Sequence, residues 1–127
     1  MNSNVALSIV IPIYNEEESL AFLVNQLLEV LQPMQETFEL VLVNDGSSDN
    51  SAEVIRKLSF EIPELVGVLL RKNYGQTAAM AAGFDISSGE IVVTLDGDLQ
   101  NDPADIPLLV NKIRDCLLYT SPSPRDS

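Results

Sequence analysis

Two aspartates separated by one glycine, Asp96-Gly97-Asp98, come directly after an apolar run. The run, residues 91–95, is mostly β-branched and follows a Ser-Ser-Gly turn signal, which predicts a fully buried strand. Side chains at positions i and i+2 of an extended backbone project to the same side, so the two carboxylates lie together. Hard divalent cations such as Mg²⁺ or Mn²⁺ bind oxygen ligands of this kind. The pair predicts a metal site, with the carbonyl oxygen of Gln100 as a candidate third ligand.

The same residues also fit an acidic β-turn at the protein surface, because Asp-Gly is among the commonest turn dipeptides. The composition favours the metal site. The 127 residues carry a net charge of −12 and no basic stripe, which disfavours nucleic-acid binding. A polyphosphate ligand would also be repelled by such a chain unless a divalent cation reversed the local field.

The last residues of the chain have an unusual composition, which is not typical of a folded domain. Residues 116–127 resemble the translation of a sequencing-library adapter joined to a truncated reading frame, so we expect a non-native tail. The alternative is a genuine Ser/Pro-rich linker. The tail holds Cys116, the only cysteine, and removing its Arg125 and Asp126 leaves the net charge at −12. We expect residues 1–115 to form one incomplete domain.

Strand and helix patterns alternate along residues 1–115. Apolar runs predict buried strands at residues 5–11, 38–43, 66–70 and 91–95. Helical patterns follow them at residues 20–31, from residue 49 or 50 to about Leu58, at residues 76–86, and from Pro103 or Ala104 to Arg114. Pro12 is predicted to close the first strand, and Asn15 with Glu18 fits a capping box of the first helix.

This alternation predicts an α/β fold, with an open, mostly parallel sheet covered by helices on both faces. Right-handed crossovers between neighbouring strands give the strand order 3-2-1-4. Ligands bind at the carboxyl ends of such strands, where the order reverses. The loop Tyr14-Asn15-Glu16 is therefore expected beside Asp96 and Asp98, with Asp45 one strand away.

Four segments of the chain resemble, in the correct order, the motifs of inverting family 2 glycosyltransferases with the GT-A fold. They are SIVIPIYNEEESL, VLVNDGSSDNS, RKNYGQTAAMAAGFD and VVTLDGDLQNDPADIP. The similar branch is that of dolichyl-phosphate mannose synthase and its bacterial relatives. The resemblance covers residues 5–114 and implies a transferase that moves a hexose from a UDP- or GDP-sugar to a polyprenyl phosphate, dolichyl or undecaprenyl.

The resemblance also implies the roles of individual residues. Asp45 would accept from the base with Val43 beside it, and Arg71, Lys72 and Gln76 would face the diphosphate or the sugar. Alternatives are an Asx-turn role for Asp45 and a solvated loop for the others. The full set of implied nucleotide contacts is Pro12, Tyr14, Asn15, Glu16, Val43, Asp45, Asp96 and Gly97.

Asp96 and Asp98 match the metal-binding acidic motif of the family, and Gln100 matches a further ligand of Mg²⁺ or Mn²⁺ in this branch. The implied reaction is a direct displacement at the anomeric carbon with inversion, in which the metal stabilises the leaving diphosphate. Asp96 and Asp98 are thus also the implied catalytic residues. The resemblance implies a membrane-associated full-length protein, for which we expect a cytoplasmic location at the cytoplasmic face of the membrane.

Three other functions stay open. In the first, the chain is a nucleotide-sugar-binding fragment without activity. In the second, the acceptor is a saccharide hydroxyl, which would require a general base beyond residue 115. A receiver-like signalling domain is the third, but it needs an aspartate after the third strand, where this chain has Arg71-Lys72-Asn73. The chain has neither the glycine motif of a dinucleotide site nor that of a P-loop. It has no histidine, which excludes histidine-dependent sites within these residues.

Overall fold

The computed structural model describes residues 5–95 and 102–119. Strands and helices alternate along them, as the sequence predicts. The strands are β1 (Leu7–Ile13), β2 (Phe38–Asn44), β3 (Leu65–Leu69) and β4 (Ile91–Thr94), and the helices are α1 (Leu20–Leu31), α2 (Ser51–Glu61), α3 (Gln76–Ile86) and α4 (Ile106–Tyr119). Short 3-10 turns, Gln32–Met34 and Pro103–Asp105, follow α1 and precede α4.

The four strands form one sheet in the order β3-β2-β1-β4, which confirms the predicted topology. Every pairing is parallel, with Ile9 opposite both Leu40 and Val93. All four carboxyl ends therefore lie at one edge of the sheet, where the order reverses between β1 and β4. We call this edge the carboxyl rim.

Helices cover both faces of the sheet, as predicted. One face packs on α1, α2 and α4, and its core includes Ile11, Leu42 and Val93. The other face packs on α3 through Val10, Val41, Val43 and Ala79. Because β1 and β2 are buried on both faces, they consist of continuous apolar runs rather than of alternating apolar and polar residues.

The small residues of α3 allow the helix to lie close to the sheet. Gly83 is buried, and a Cβ atom at this position would overlap a methyl group of Val10 and lie 3.2 Å from another of Val43. This close approach brings α3 directly onto β1 and β2.

Pro12 does not end β1, which continues to Ile13 against β2. The prediction was wrong because Pro12 directs its nitrogen away from β2 and toward β4. The N–H of Leu95 donates to the carbonyl of Val10 at 3.1 Å, and the next bond of that ladder would run from residue 12 to Leu95. Proline has no N–H for this bond, so the pairing between β1 and β4 ends there.

Several predicted boundaries and contacts also change. The capping box is wrong: α1 begins at Leu20 with no side-chain cap and no acid in its first turn, so Asn15 and Glu18 lie before the helix. β3 begins one residue earlier than predicted, α2 continues to Glu61, and α4 continues to Tyr119. The strand β4 is not fully buried, because Thr94 is exposed on the face next to α3.

No helix in the described ranges is both long and apolar enough to cross a membrane.

Candidate functional site

The carboxyl rim gathers most of the residues that the sequence singles out. Tyr14, Asn15 and Glu16 follow β1, Asp45 follows β2, and the segment from Arg71 to the start of α3 at Gln76 follows β3. The predicted metal ligands Asp96, Asp98 and Gln100, with Gly97, lie outside the described residues. Leu95, the last described residue before them, lies beside Val10 of β1.

Asn15 joins the loop after β1 to the loop after β2. Its backbone N–H donates to the hydroxyl of Ser47 at 2.9 Å, and its side-chain oxygen accepts from the N–H groups of Ser48 at 2.8 Å and Asp49 at 3.3 Å. Asn15 adopts a left-handed conformation with φ of 55°, which Asn tolerates better than most residues. The side-chain oxygen is therefore committed to the neighbouring loop.

Further hydrogen bonds continue this connection toward α2. The N–H of Glu16 donates to the hydroxyl of the buried Ser51 at 2.9 Å, and the N–H of Asn50 donates to the carboxylate of Glu17 at 2.9 Å. Asp49 accepts from the N–H groups of Ser51 at 2.9 Å and Glu17 at 3.3 Å. The two loops thus form one unit, which we call the double loop (residues 14–19 and 45–51).

The pKa of Asp49 is lowered. Burial acts in the opposite direction, but hydrogen bonds from the side chain and backbone of Ser51 and from the backbone of Glu17 favour the ionised carboxylate and outweigh it. Asp49 also precedes the N-terminus of α2, where a negative charge complements the helix dipole. The N-cap position itself is occupied by Asn50, whose side chain makes no capping hydrogen bond, so Asp49 acts on the helix from one residue further out.

Asp45 is buried, with only 3% of its surface exposed. One carboxylate oxygen accepts from the N–H of Tyr74 at 2.8 Å, and the other accepts from the N–H of Gly75 at 3.1 Å and from the Asn73 side chain at 3.2 Å. These donors belong to the loop between β3 and α3. The role of Asp45 as an acceptor for a base stays a prediction, and in this conformation its carboxylate is covered by that loop.

The same loop packs against Gly46. This glycine has φ of 67°, and a Cβ atom here would overlap the backbone of Lys72 and Asn73. Only glycine allows both the left-handed turn and the close approach of another backbone. The loop after β3 is therefore fixed to the end of β2 at two adjacent residues, Asp45 and Gly46.

The remaining predicted contacts differ in their exposure. Tyr14 is 47% exposed at the carboxyl rim, and Pro12 is partly exposed beside it. Val43 is fully buried beneath α3, so in this structure its side chain is part of the core and presents no surface to a ligand. Arg71 is exposed, and the ammonium of Lys72 lies over the ring of Tyr74, 5.6 Å from its centroid.

Negative charge dominates the loops that follow β1, β2 and β3. Their carboxylates are Glu16, Glu17, Glu18, Asp45 and Asp49, and their cations are Arg71 and Lys72. An open groove of about 390 Å³ lies along residues 15–19 and Asp49, so four of the five carboxylates belong to residues that line it. A diphosphate would be repelled from this groove without a counter-charge.

The predicted metal ligands fit a hard cation by their chemistry. Two carboxylates and an amide carbonyl are the oxygen donors that Mg²⁺ and Mn²⁺ prefer. Over residues 5–95 and 102–119, no three acidic, histidine or cysteine side chains come together as a metal site. The metal site at Asp96, Asp98 and Gln100 therefore stays a prediction.

The residues that hold the loops in place could not be recognised in the sequence. Ser47, Ser51 and Asn73 bind no predicted ligand, yet each makes hydrogen bonds between segments more than 25 residues apart in the chain. The Gly-Ser-Ser-Asp run predicts a turn at this position. Its hydrogen-bond partners lie in other loops, so neighbouring residues do not predict them.

Comparisons with known proteins agree with this fold. The model of the family described as glycosyl transferase family 2 matches residues 8–123. An undecaprenyl-phosphate 4-deoxy-4-formamido-L-arabinose transferase of Aeromonas hydrophila subsp. hydrophila is 48% identical over 111 residues, covering 86% of this chain and 34% of that protein. A protein of the same name from Photorhabdus laumondii subsp. laumondii is 49% identical, covering 82% and 32%. The chain spans about a third of the length of these relatives.

Solved structures show the same architecture. Residues 1-349 of S. aureus TarS superpose with a TM-score of 0.72 at 22% identity, covering 94% of this chain and 38% of that one. A mannosyltransferase from Pyrobaculum calidifontis in complex with GDP-Man and Mn²⁺ gives a TM-score of 0.71 at 23% identity, covering 89% and 32%. At these identities the likeness establishes the fold, and the predicted GT-A class is confirmed.

Proposed function

Because the chain belongs to glycosyl transferase family 2, we propose that it is the donor-binding part of an inverting transferase that glycosylates a polyprenyl phosphate. The observation that carries the proposal is the similarity to relatives that are 46–49% identical over more than four fifths of this chain. Their names give undecaprenyl phosphate as the acceptor, and we take this lipid as the acceptor of the whole protein. A lipid acceptor is consistent with action at the cytoplasmic face of a membrane.

The donor is proposed to be a nucleoside diphosphate sugar bound at the carboxyl rim. The names of the relatives specify 4-deoxy-4-formamido-L-arabinose, a modified pentose, whereas the resemblance implied a hexose. We propose this sugar as the first donor to test, with hexoses as the alternative. Both uridine and guanosine remain candidates for the nucleoside, because solved neighbours bind UDP-GlcNAc or GDP-Man.

The proposed reaction is a single displacement. A phosphate oxygen of the lipid attacks the anomeric carbon from the side opposite the nucleoside diphosphate. The new C–O bond forms as the bond to the diphosphate breaks, the diphosphate keeps the electron pair, and the configuration inverts. A phosphate monoester is ionised at neutral pH, so this reaction requires no strong general base.

Asp96, Asp98 and Gln100 are the residues proposed to hold Mg²⁺ or Mn²⁺. Bound there, the cation supplies Lewis-acid stabilisation of the charge on the departing diphosphate. The chain's own residues would contribute position and electrostatics: the exposed Tyr14 offers a ring face to a nucleoside, and Arg71 and Lys72 offer positive charge to a diphosphate.

We propose that these 127 residues bind the donor but do not transfer sugar. The matched part is about a third of the length of the relatives, so the acceptor side of their sites has room outside it. A saccharide hydroxyl as acceptor stays the alternative, and it would require a general base, because a hydroxyl is not ionised at neutral pH.

Calorimetric titration of the chain with donors in Mn²⁺ buffer tests the proposal. UDP- and GDP-linked 4-deoxy-4-formamido-L-arabinose and UDP- and GDP-hexoses are compared, with ATP as a matched polyphosphate control. We expect saturable binding of one donor class and no comparable binding of ATP. Equal binding of all polyphosphates, or of none, would contradict a donor site. A parallel incubation with undecaprenyl phosphate is expected to give no glycosylated lipid.

A further inference from the structure

We propose that Asp45 is a positioning residue, whose buried carboxylate fixes the loop Arg71–Gly75 and thereby presents its cationic side chains at the carboxyl rim. The expected effect on diphosphate binding rests on the proposed function. The attachment of the loop to the end of β2 does not depend on that function.

The placement of Asp45 follows from strand geometry. Residues two apart on a strand share a face, so Asp45 continues the line of Val41 and Val43 on the face that packs on α3. Its side chain therefore meets the N-terminal end of α3, where the loop from β3 enters the helix. The positive end of the helix dipole lies here, and it favours a carboxylate.

All three of its hydrogen-bond donors are neutral groups of one loop. They are the N–H groups of Tyr74 and Gly75 and the side-chain amide of Asn73, which also donates to the backbone carbonyl of Asp45 at 3.1 Å. A buried carboxylate that lacked these donors would carry a large desolvation cost. The loop and the carboxylate therefore stabilise each other.

The attachment extends to the cations of the loop. The ring of Tyr74, whose N–H is bound to Asp45, lies under the ammonium of Lys72 at 5.6 Å, a cation–π contact. In the described part of the chain, neither Arg71 nor Lys72 forms an ion pair with a carboxylate. Both positive charges are thus available to an anionic ligand from a loop that Asp45 holds.

Asp45→Asn and Asn73→Ala separate this role from direct contact with a base. Asn at position 45 places an amide donor against the N–H donors of the loop, whereas Ala at position 73 leaves the carboxylate intact and removes one donor. Hydrogen exchange of the Tyr74 and Gly75 amides is measured without nucleotide. We expect exchange about ten-fold faster in Asp45→Asn and a smaller increase in Asn73→Ala.

Two controls make the exchange result decisive. The exposed Asn50, whose side chain caps nothing, is replaced by Ala and should leave both amides unchanged. Protection of Ile11 in the core reports whether each variant is folded. If Asp45→Asn fails to fold, Asn73→Ala decides alone. If Asp45→Asn folds and both amides exchange at the unchanged rate, the proposal is overturned. If Asp45→Asn does not fold, unchanged exchange at both amides in Asn73→Ala overturns it.

A double-mutant cycle on donor affinity in Mn²⁺ buffer then tests the consequence. If the loop presents Lys72, Lys72→Ala and Asn73→Ala each weaken binding, and together they weaken it by less than the product of their separate factors. If the double variant weakens donor binding by the full product of the two separate factors, the proposed positioning of Lys72 through the loop is overturned. If the unmutated chain binds no donor, the proposed function fails, while the exchange experiment still judges the attachment.

Discussion

The side-chain oxygen of Asn15 accepts a hydrogen bond from the backbone N–H of Ser48 at 2.8 Å, across 33 residues of sequence. The two residues follow adjacent strands, β1 and β2, so the bond joins the loop at the reversal of strand order to the loop after the neighbouring strand. A ligand site at a sheet edge requires loops of fixed position. In this protein the fixing is achieved by side chains bonded to the backbone of another loop.

Replacing Asn15 with Ala should destabilise the protein by about 1–3 kcal/mol, because the N–H groups of Ser48 and Asp49 lose their acceptor and Ala is strained at positive φ. Asn15→Gly removes the acceptor but tolerates the conformation, so its loss should be smaller. Urea unfolding measures both. Asn25→Ala, at an exposed position of α1, is the control and should stay within about 0.5 kcal/mol. Equal stability of Asn15→Ala and the control would refute the structural role of Asn15.

Gly83→Ala should destabilise the protein by about 1–3 kcal/mol, although the same change in an exposed helix normally stabilises it. The added methyl group would overlap Val10. Thermal unfolding of Gly83→Ala, Val10→Ala and the double variant measures the effect. The double variant should lose less than the sum of the single losses, because Val10→Ala makes room for the methyl group. A stabilising Gly83→Ala would show that α3 does not lie this close to the sheet.

The ion pair of Glu36 with Arg114 predicts a pH dependence. The hydrogen bond from Arg114 lowers the pKa of Glu36, burial opposes it, and the charge of Arg114 adds to the lowering. A carboxyl whose pKa is lower in the folded state stabilises the protein above its unfolded pKa of about 4.3 and loses that contribution as the pH falls through its folded pKa. Asp49, whose pKa is also lowered, acts in the same direction.

Glu36→Gln should therefore cost about 1 kcal/mol or less at pH 7, because the Arg114 side chain is 38% exposed and its charge is screened. The cost should disappear at a pH below the folded pKa of Glu36. Unfolding in urea across this pH range gives the difference between variant and parent. Glu53→Gln, which breaks the more exposed pair with Arg56, is the control. A cost that persists unchanged into acid would show that packing, not charge, is responsible.

Much of the fold follows from local patterns in the sequence. Apolar runs that end in turn residues locate the strands, and the alternation with helices limits the sheet to few topologies, of which β3-β2-β1-β4 is the one found. The bounds predicted for α3, residues 76–86, are confirmed. These features depend on neighbouring residues and on general rules of chain connection.

The details of the site depend on contacts between distant residues, which local patterns do not contain. The pairing of Asp45 with Tyr74 and Gly75 requires the loop after β3 to fold back over the end of β2. Pro12 is a second example, since its effect depends on which neighbour its nitrogen faces. Val43 is a third: it lies one residue before the end of β2, close to the rim, yet α3 covers it completely.

The central proposal is that a divalent cation at Asp96 and Asp98 joins an acidic rim to the diphosphate of a sugar donor. Calorimetry of the donor identified above, in Mn²⁺ buffer and in chelator, tests it most directly. We expect the donor affinity to be at least about ten-fold higher in Mn²⁺ than in chelator. Asp98→Asn should abolish this gain. Asp85→Asn, at an exposed position on α3, is the control and should preserve it. Equal affinity in both buffers would contradict the proposal and leave the two aspartates as turn residues.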